Sequence, residues 1–453
     1  MKEINLKTRC HEEAALIMKR LDELGEVTDE PGHLTRWFLS PAMDRVVTMV
    51  FGWMKEAGLK VSRDGWGNVL GRLPCVEENS RVLLCGSHLD TVRNAGKYDG
   101  PLGVLLGVAA ARILLEAGAQ LPFHLDVAGF SDEEGLRFQA TYLGSRALTG
   151  RITEADLELR DEHGHRLGDV VDPPDTLPAP YYRQNELLAY LEVHIEQGPV
   201  LEAAGYPLGV VTGIAGQTRA KVRMTGRADH TGTCPMNLRK DALPAAAEMV
   251  LAAEQLARGT KGLMATVGQI KVEPGASNVV PAVAELTLDV RHLDDGRRSR
   301  AISMLEMGAR EIAEQRGVGC EWSIVQNGES VPCDLGLREV LFDAAWELSI
   351  PVLQLPSGAG HDAAVLSQVA PVGMLFLRSP GGVSHHPDET VLEQDVADAL
   401  ATLVKAIENY AFEDGPAPEP VRERNYIEMP HLEPVEIESL RYSQKVTEEG
   451  AEV

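Results

Sequence analysis

The chain lacks long apolar runs, closely spaced cysteines and an excess of positive charge. No stretch reaches the roughly 18 apolar residues of a membrane-spanning helix, and residues 1–20 contain no apolar core of the kind found in signal peptides. The six cysteines form no C-x-x-C pair, which favours reduced thiols in a cytoplasmic protein over a disulfide framework. The formal net charge of −25 makes nucleic acid and anionic membranes poor partners, although it does not exclude a small anionic ligand.

What the chain does have is an alternation of strands and helices that is interrupted once. Apolar runs at 81–87 and 122–130, with a helical segment at 101–118 between them, predict a largely parallel sheet covered by helices. Residues 217–333 instead predict the order β-α-β-β-α-β, which is typical of a ferredoxin-like module. After Cys333 the first pattern resumes, so we expect an α/β domain that is discontinuous in sequence, with a smaller module inserted into it.

Histidines and carboxylates follow several predicted strands at the point where each strand ends. They are His88, Asp99, the acids Asp132 to Glu134, His194 and His385. Active sites of such sheets form beyond the carboxyl ends of the strands, and this mixture of nitrogen and oxygen donors fits one or two divalent ions. Taken singly, a strand-end histidine is more commonly a structural residue, and the acid run also fits a helix N-cap cluster. The conjunction of positions favours a metal site.

Five motifs, in order along the chain, resemble a known enzyme family. They are "GSHLDTVRNAGKYDGPLGV", "SDEEGLRF", "LEVHIEQGPVLE", "SGAGHDA" and "GGVSHHPDE". Together they resemble the di-metal aminoacylase/carboxypeptidase-G superfamily over about residues 10–412. The motif "HIEQGPVLE" resembles the ureidohydrolase branch in particular, which contains allantoate amidohydrolases, N-carbamoyl-L-amino acid hydrolases and β-ureidopropionases.

The resemblance implies two divalent metal ions per subunit, held at a shared carboxylate. One ion would have His88, Asp99 and His194 as ligands, and the other Asp99, Glu134 and His385. Glu133 would act as general base on water that the ions acidify, and Asp90 would orient His88 through its second ring nitrogen. Zinc fits this ligand set best, and manganese, cobalt and nickel are alternatives.

The resemblance also implies a contribution from a second subunit. In the segment "ADHTGTCPMNLRKDAL", His230 would reach the active site of the partner and stabilise the oxyanion of the tetrahedral intermediate. This role requires a homodimer formed through the inserted domain. Asn278 of the same domain would contact the carboxylate of the substrate.

Three further residues are candidates for substrate contacts. Arg291 would bind the substrate carboxylate through its planar fork, although a surface ion pair with Asp294 or Asp295 is the alternative reading. Gln197 and His361 are the other two candidates, and the "SGAGHDA" segment around His361 also fits a tight glycine turn.

The implied protein is a mixed-sheet, di-metal peptidase-like catalytic domain in two parts. We expect that domain at 1–216 and 334–413, an inserted lid and dimerisation domain at 217–333, and an acidic, proline-rich extension at 414–453. The implied reaction is hydrolysis of a ureido C–N bond with release of ammonia and carbon dioxide. Allantoate is the favoured substrate on the ground that Arg378 would add a cation near the pocket, and a surface role for Arg378 is an equal alternative; N-carbamoyl-L-amino acids and N-carbamoyl-β-alanine are the other substrates. Peptidase or aminoacylase activity, or binding without catalysis, is less favoured because all five ligands and Glu133 are present.

Overall fold

Two β-sheets organise the chain in the computed structural model, which describes residues 6–77 and 80–413. The strands are β1 (Lys60–Arg63), β2 (Val69–Leu73), β3 (Val82–His88), β4 (His124–Phe130), β5 (Leu187–Ile195), β6 (Leu208–Ile214), β7 (Gly216–Thr225), β8 (Met264–Glu273), β9 (Val283–His292), β10 (Gly319–Gly328), β11 (Val331–Pro332), β12 (Val352–Ser357) and β13 (Val372–Leu377). The proposed extension at 414–453 lies outside the described residues.

The larger sheet is mixed. Its order is β1-β2-β4-β3-β5-β13-β6-β11, and β12 pairs with β6 off this path. The pairs of β3 with β4, β3 with β5, β5 with β13 and β6 with β12 are parallel, and the remaining pairs are antiparallel. Strands β3, β4, β5 and β13 are buried along their whole length, because helices and loops cover both faces and the sequence supplies unbroken apolar runs. The mixed-sheet α/β class is thus confirmed, and the expected parallel pairing holds at the centre of the sheet.

Twelve α-helices lie within the described residues. They are α1 (Leu6–Gly25), α2 (Pro41–Glu56), α3 (Pro101–Ala117), α4 (Leu143–Leu148), α5 (Glu154–Leu157), α6 (Leu167–Val170), α7 (Val200–Ala204), α8 (Ala242–Arg258), α9 (Asp295–Arg316), α10 (Leu335–Glu347), α11 (Ala363–Leu366) and α12 (Glu393–Glu413). Helices α1, α3, α10 and α12 contribute to the main hydrophobic core with the central strands. Helix α3 is apolar nearly all round, since it lies between the sheet and α1 and α12. No described helix is both long and apolar enough to cross a bilayer.

The smaller sheet has four antiparallel strands in the order β10-β7-β9-β8. With α8 and α9 it reproduces the expected β-α-β-β-α-β sequence, and these two helices share a separate hydrophobic core with the sheet. Burial alternates along β7 and β9 because one face of the sheet packs on the helices while the other does not. The boundaries at 216 and 333, and the role of this module as a lid and dimerisation domain, stay predictions.

The topology of the larger sheet brings the candidate ligands to one edge. Strands β3, β5 and β13 are parallel neighbours, so their carboxyl ends point the same way. His88 is the last residue of β3, His194 is the penultimate residue of β5, and His385 follows β13. Asp99 lies two residues before the first residue of α3. A single crevice beyond these strand ends is therefore the expected place for a site.

Candidate active site

Strands β3 and β5 deliver two buried histidines whose rings face each other. The Nε2 atoms of His88 and His194 are 3.4 Å apart, and Asp99 Oδ1 lies 3.8 Å from the first and 3.2 Å from the second. The other ring nitrogen is engaged in both cases: Nδ1 of His88 lies 3.3 Å from Asp90 Oδ1, and Nδ1 of His194 lies 3.0 Å from the Ile195 carbonyl. Both Nε2 atoms are thereby directed to one point beside Asp99, which is the usual arrangement of ligating histidines.

A second group meets the other oxygen of the same aspartate. Nε2 of His385 lies 3.2 Å from Asp99 Oδ2 and 3.4 Å from Glu134 Oε1. His385 is in the left-handed region with φ 55°, and its side chain is 48% exposed, whereas Asp99 is buried. The two predicted ligand groups are therefore both assembled in the folded chain, with Asp99 between them.

The donor chemistry of these groups fits divalent metal ions. In each group the ligand atoms lie within 4.8 Å of one another. Asp99 Oδ1 is fully buried and accepts no hydrogen bond from any described residue, which is costly for a carboxylate in the absence of a cation. Burial would raise the pKa of Asp99, but the adjacent imidazoles of His194, His385 and His88 hold it well below its usual range. The carboxylate is thus ionised and available as a ligand to both sides.

Asp90 fixes the turn that carries the acid pair. Its Oδ1 accepts a hydrogen bond from the Glu133 amide at 3.0 Å, and its Oδ2 accepts one from the Glu134 amide at 3.1 Å. Because the same carboxylate faces His88, one side chain orients both a candidate ligand and the acid pair. Glu134 faces His385, while Glu133 borders Gly360, where an added Cβ would lie 3.7 Å from Glu133 Oε1. The two carboxylates stay close: one oxygen of each and a ring nitrogen of His88 lie within 4.8 Å of one another.

The environment of Glu133 favours its protonated form. Burial raises the pKa of Glu133 well above its usual range, and the charge of Glu134 raises it further. The pKa of Glu134 is raised to about 7 by burial, followed by the charge of Asp99. Neighbouring carboxylates with raised pKa values are typical of proton-transfer sites, because a group that titrates near neutral pH can both accept and donate a proton.

Several buried acids that support the site were not singled out from sequence. Glu389 accepts hydrogen bonds from the amides of Tyr98 and Asp99 at 3.0 and 3.1 Å and from the Ser384 hydroxyl at 3.1 Å. Glu192 accepts hydrogen bonds from the Ser87 hydroxyl and the Ala363 amide behind the histidines. The one available signal for Glu389 was its place four residues after His385, in the motif "SHHPDE".

A cavity of about 1440 Å³ lies between the two sheets and joins the acid and histidine groups to cationic side chains. Its lining includes His88, Asp99, Glu133, Glu134, His194 and His385 from the larger sheet, and Gln217, Arg219, Arg291 and Asn327 from the smaller one. Gln197 also lines it and donates a hydrogen bond to Asp99 Oδ2 at 3.0 Å. A carboxylate-bearing ligand could therefore meet both walls at once.

Other predicted contacts lie elsewhere than expected. Arg291 pairs with Asp289, at 2.8 Å from Nε to Oδ1, and not with Asp294 or Asp295, because residues 289 and 291 share one face of β9. His361 is buried behind His194, with ring centroids 4.7 Å apart, and is not part of the cavity lining.

Arg378 is not the expected cation of the pocket. It forms two hydrogen bonds of 2.9 Å to Asp395 of α12 and does not line the cavity. That expectation was wrong because the buried acid on the helix, which the local sequence does not reveal, binds the guanidinium away from the site. The arginines that do line the cavity are Arg146, Arg151, Arg219 and Arg291.

His230 and Asn278 lie together on the smaller module, outside the cavity of their own chain. Both are exposed, and residue 230 forms a β-bridge with Val279. The Nδ1 atom of His230 accepts a hydrogen bond from the Gly232 amide at 3.0 Å, which leaves Nε2 as the possible donor. Within one chain, the structure does not bring these two residues to the ligand groups.

Fold and site together define a metallohydrolase, and comparisons with known proteins agree. The family model for peptidase family M20/M25/M40 matches residues 84–409. The chain is 40% identical to allantoate deiminase 1 of Glycine max, over 85% of this chain and 87% of that protein. It is also 40% identical to an N-carbamoyl-L-amino acid amidohydrolase of Geobacillus stearothermophilus, over 86% and 97% respectively.

Comparison with a solved structure supports the same fold. An amidase of the hydantoinase/carbamoylase family from Burkholderia multivorans superposes with a TM-score of 0.83 at 30% identity, over 88% of this chain and 98% of that one. The chain belongs to peptidase family M20/M25/M40, and it is a hydrolase that acts on carbon–nitrogen bonds.

Proposed function

We propose that the protein hydrolyses the ureido C–N bond of allantoate, with release of ammonia and carbon dioxide. The observation that carries the proposal is one cavity in which two ligand groups around Asp99 and the acid Glu133 face the guanidinium of Arg291. Relatives named for allantoate and for N-carbamoyl-L-amino acids are equally similar to this chain, so an N-carbamoyl-L-amino acid or N-carbamoyl-β-alanine is the second candidate.

Two divalent ions per subunit belong to this proposal. His88, Asp99 and His194 would hold one, and Asp99, Glu134 and His385 the other. When bound, such ions acidify water and polarise the carbonyl that is attacked. Zinc suits the nitrogen and oxygen donors best, and manganese, cobalt or nickel would also fit.

Glu133 is proposed as the group that moves the proton. Its carboxylate takes a proton from the attacking water, and the resulting acid gives that proton to the leaving nitrogen. The hydrogen bond from its amide to Asp90 supports this role, because it fixes the backbone from which the side chain extends. Burial keeps its pKa high enough for the protonated form to persist until the nitrogen departs.

Arg291 is proposed to hold the carboxylate of the substrate from the opposite wall. The backbone carbonyl of Gly358 accepts a hydrogen bond from Arg291 Nη1 at 2.6 Å, and Gly360, two residues later, borders Glu133. Two residues of chain span at most about 7 Å, so the cation lies within reach of a small acid whose ureido end meets Glu133. Gln197, beside Asp99, is proposed to contact the ureido group.

His230 and Asn278 are proposed to act in the site of a partner subunit, which requires a homodimer. Their joint exposure outside their own cavity supports this, as do apolar side chains exposed on the same module. Among these are Leu251 of α8 and Met264 and Ile270 of the edge strand β8, with 61%, 65% and 45% exposure.

Ammonia release from a set of ureido acids tests the proposed function. The metal-loaded protein should show its highest kcat/KM with allantoate, compared with N-carbamoyl-L-alanine and N-carbamoyl-β-alanine. A dipeptide and an N-acetyl amino acid serve as controls for peptidase and aminoacylase activity. Faster hydrolysis of either control, or no ammonia from any ureido acid, would contradict the proposal.

Mixing two inactive variants tests the role of His230. His230→Ala should keep its metal content and lose roughly 10²–10³ in turnover, which is the usual effect of removing one oxyanion donor. Mixed with Glu133→Gln, it should form dimers in which one site has both residues intact, and random pairing should restore roughly a quarter of wild-type activity. If tagged mixed dimers are recovered and no activity returns, His230 does not act across an interface.

A further inference from the structure

One carboxylate of the smaller sheet binds both arginines that this sheet contributes to the cavity wall. Asp289 of β9 accepts hydrogen bonds from Arg291 Nε at 2.8 Å and Nη2 at 3.0 Å. It also accepts one from Arg219 Nε at 3.2 Å and one from Gln217 Nε2 at 2.6 Å. Residue 219 is the cross-strand partner of 289 on β7, so the cluster is fixed by the register of the sheet.

The cluster forms part of the substrate cavity. Gln217, Arg219 and Arg291 line it, and Arg291 Nη1 reaches across to the carbonyl of Gly358 in the loop that borders Glu133. The arginines therefore occupy the place where the proposed function requires the carboxylate of the substrate.

The charge of this cluster can be counted. Arginine side chains are always protonated in proteins, so the two guanidinium groups contribute two positive charges. Asp289 is ionised, because hydrogen bonds from Arg291 and Arg219 hold its pKa below the usual range although burial opposes them. The net charge is thus +1. Glu329 also lines the cavity, but it is exposed and its charge is screened by water.

We propose that Asp289 determines specificity by setting the charge of this subsite at +1, so that the enzyme selects singly charged over doubly charged ureido acids. The inference rests on the proposed function and adds a limit on the class of substrate. Of the other arginines in the lining, Arg146 is paired with Asp156, and Arg151 is exposed and donates a hydrogen bond to the Gln368 carbonyl. One substrate carboxylate neutralises the cluster, so a second carboxylate in the partly buried cavity gains no net attraction from it. Asp289 acts through the two arginines and is therefore a positioning residue.

The test compares affinities for a matched pair of ligands in the metal-loaded protein. Succinamate and succinate have nearly the same shape and differ by one charge, and calorimetry gives both dissociation constants without turnover. Asp289→Asn keeps the shape and an acceptor oxygen but raises the cluster to +2. The affinity for succinate relative to succinamate should then rise roughly tenfold or more, as expected for one added unit charge at ~7 Å in a partly screened site.

The same sheet supplies a matched control. Glu285 pairs with Arg223 across the same two strands, at 3.8 Å and four residues further along, but neither residue lines the cavity. Glu285→Gln should therefore leave the ratio unchanged. Asp289→Glu, which preserves the charge, should also keep a ratio near that of the wild type.

A variant that lowers the charge of the cluster keeps the inference testable if Asp289→Asn does not fold. Arg219 is 53% exposed, so Arg219→Gln should fold and lower the cluster to zero. The preference for succinamate should then increase several-fold. A loss of affinity for both ligands with an unchanged ratio, or an equal rise of the ratio in Glu285→Gln, would overturn the assignment.

Measurements of turnover distinguish a failure of this inference from a failure of the proposed function. If the wild type releases ammonia from ureido acids, the kcat/KM ratio of N-carbamoyl-L-aspartate to N-carbamoyl-L-alanine should follow the calorimetric ratio in each variant. If it releases none, the proposed function fails, while the calorimetric ratios still decide whether Asp289 sets the charge preference.

Discussion

The two candidate ion positions share Asp99 but have different surroundings. At the first, which we name the buried position, His88 and His194 lie on strand ends, are almost fully buried and have their second ring nitrogens engaged. At the second, which we name the open position, His385 lies on a loop, and its side chain is 48% exposed. Beside His385, the hydroxyl of Ser384 donates hydrogen bonds to Asp99 and Glu389 and so connects this loop to the site.

This difference indicates different affinities and exchange rates at the two positions. A preorganised, water-excluded ligand set loses little conformational entropy on binding an ion, whereas a loop ligand must be ordered first. We therefore expect the buried position to retain its ion and the open position to exchange ions with solvent. One oxygen of Glu133 lies within 4.8 Å of ligand atoms of His88 and Glu134, but we expect it to ligate neither ion, so that Glu133 can be changed without removing an ion.

The largest expected effect comes from substituting the two adjacent glutamates one at a time. Glu133→Gln should retain both ions and lose roughly 10²–10⁴ in turnover, the contribution of general acid–base catalysis. Glu134→Gln should lose affinity at the open position only. Metal content by plasma mass spectrometry and ammonia release distinguish the two variants. Near-normal turnover of Glu133→Gln would show that another group moves the proton.

A smaller effect is expected from removing one histidine at each position. His194→Ala should lose the ion that survives gel filtration and should lower the melting temperature, because it leaves a cavity beside the buried His361. His385→Ala should lose only the readily exchanged ion, and its melting temperature should change little because the side chain is half exposed. Equal retention of metal and equal melting temperatures in the two variants would mean that the positions do not differ as described.

The smallest effect is the pH dependence of metal-free stability. The hydrogen bond from His385 to Asp99 raises the pKa of His385 to about 9, so its stabilisation is complete below its unfolded pKa of about 6.5 and is lost as pH rises through 9. Burial raises the pKa of Glu134 to about 7, so the folded state binds this proton more tightly and loses stability between about pH 4.5 and 7.

Both shifts make the metal-free protein less stable as pH rises from about 4.5 to 9, while a bound ion replaces the protons. The gain in melting temperature on adding metal should therefore grow with pH by roughly 2–5 °C, after allowing for the exposure of His385. His385→Ala should weaken this trend above pH 6.5. A gain that is flat or falls with pH would contradict the assignment of these groups.

The candidate ligands could be found from sequence because each follows an unbroken apolar run that forms a buried strand. His88 and His194 were recognisable on this basis, and parallel pairing of β3 with β5 brings them together, whereas Asp99 was recognisable from its place in the loop just before α3. The pairing of arginines could not be found in this way. Arg378 pairs with Asp395, which lies 17 residues away on α12, and Arg291 pairs with Asp289 because the two side chains share one face of β9.

Short elements of the fold could not be predicted from the sequence either. Helices α4, α5 and α6 have four to six residues, too few to be stable alone, and they form because Phe38, Trp66 and Phe138 pack with them in a local core. Strands β6, β11 and β12 were not singled out either. In contrast, the long apolar helix α3 was predicted within one residue of its observed ends, and the two helices of the smaller module were predicted in their observed order.

Strand β13 is the last strand of the chain, yet it lies between β5 and β6 near the middle of the larger sheet. During synthesis at about 5–20 residues per second, the roughly 180 residues that separate β5 from β13 take about 10–35 s to appear. Throughout that interval the nascent chain presents β5 with an unpaired edge, and every residue of that strand is buried in the finished protein. The smaller module has a hydrophobic core of its own, so it can fold before β13 has been synthesised. The strand that supplies His194 is therefore complete on one edge only after nearly the whole described chain has been synthesised.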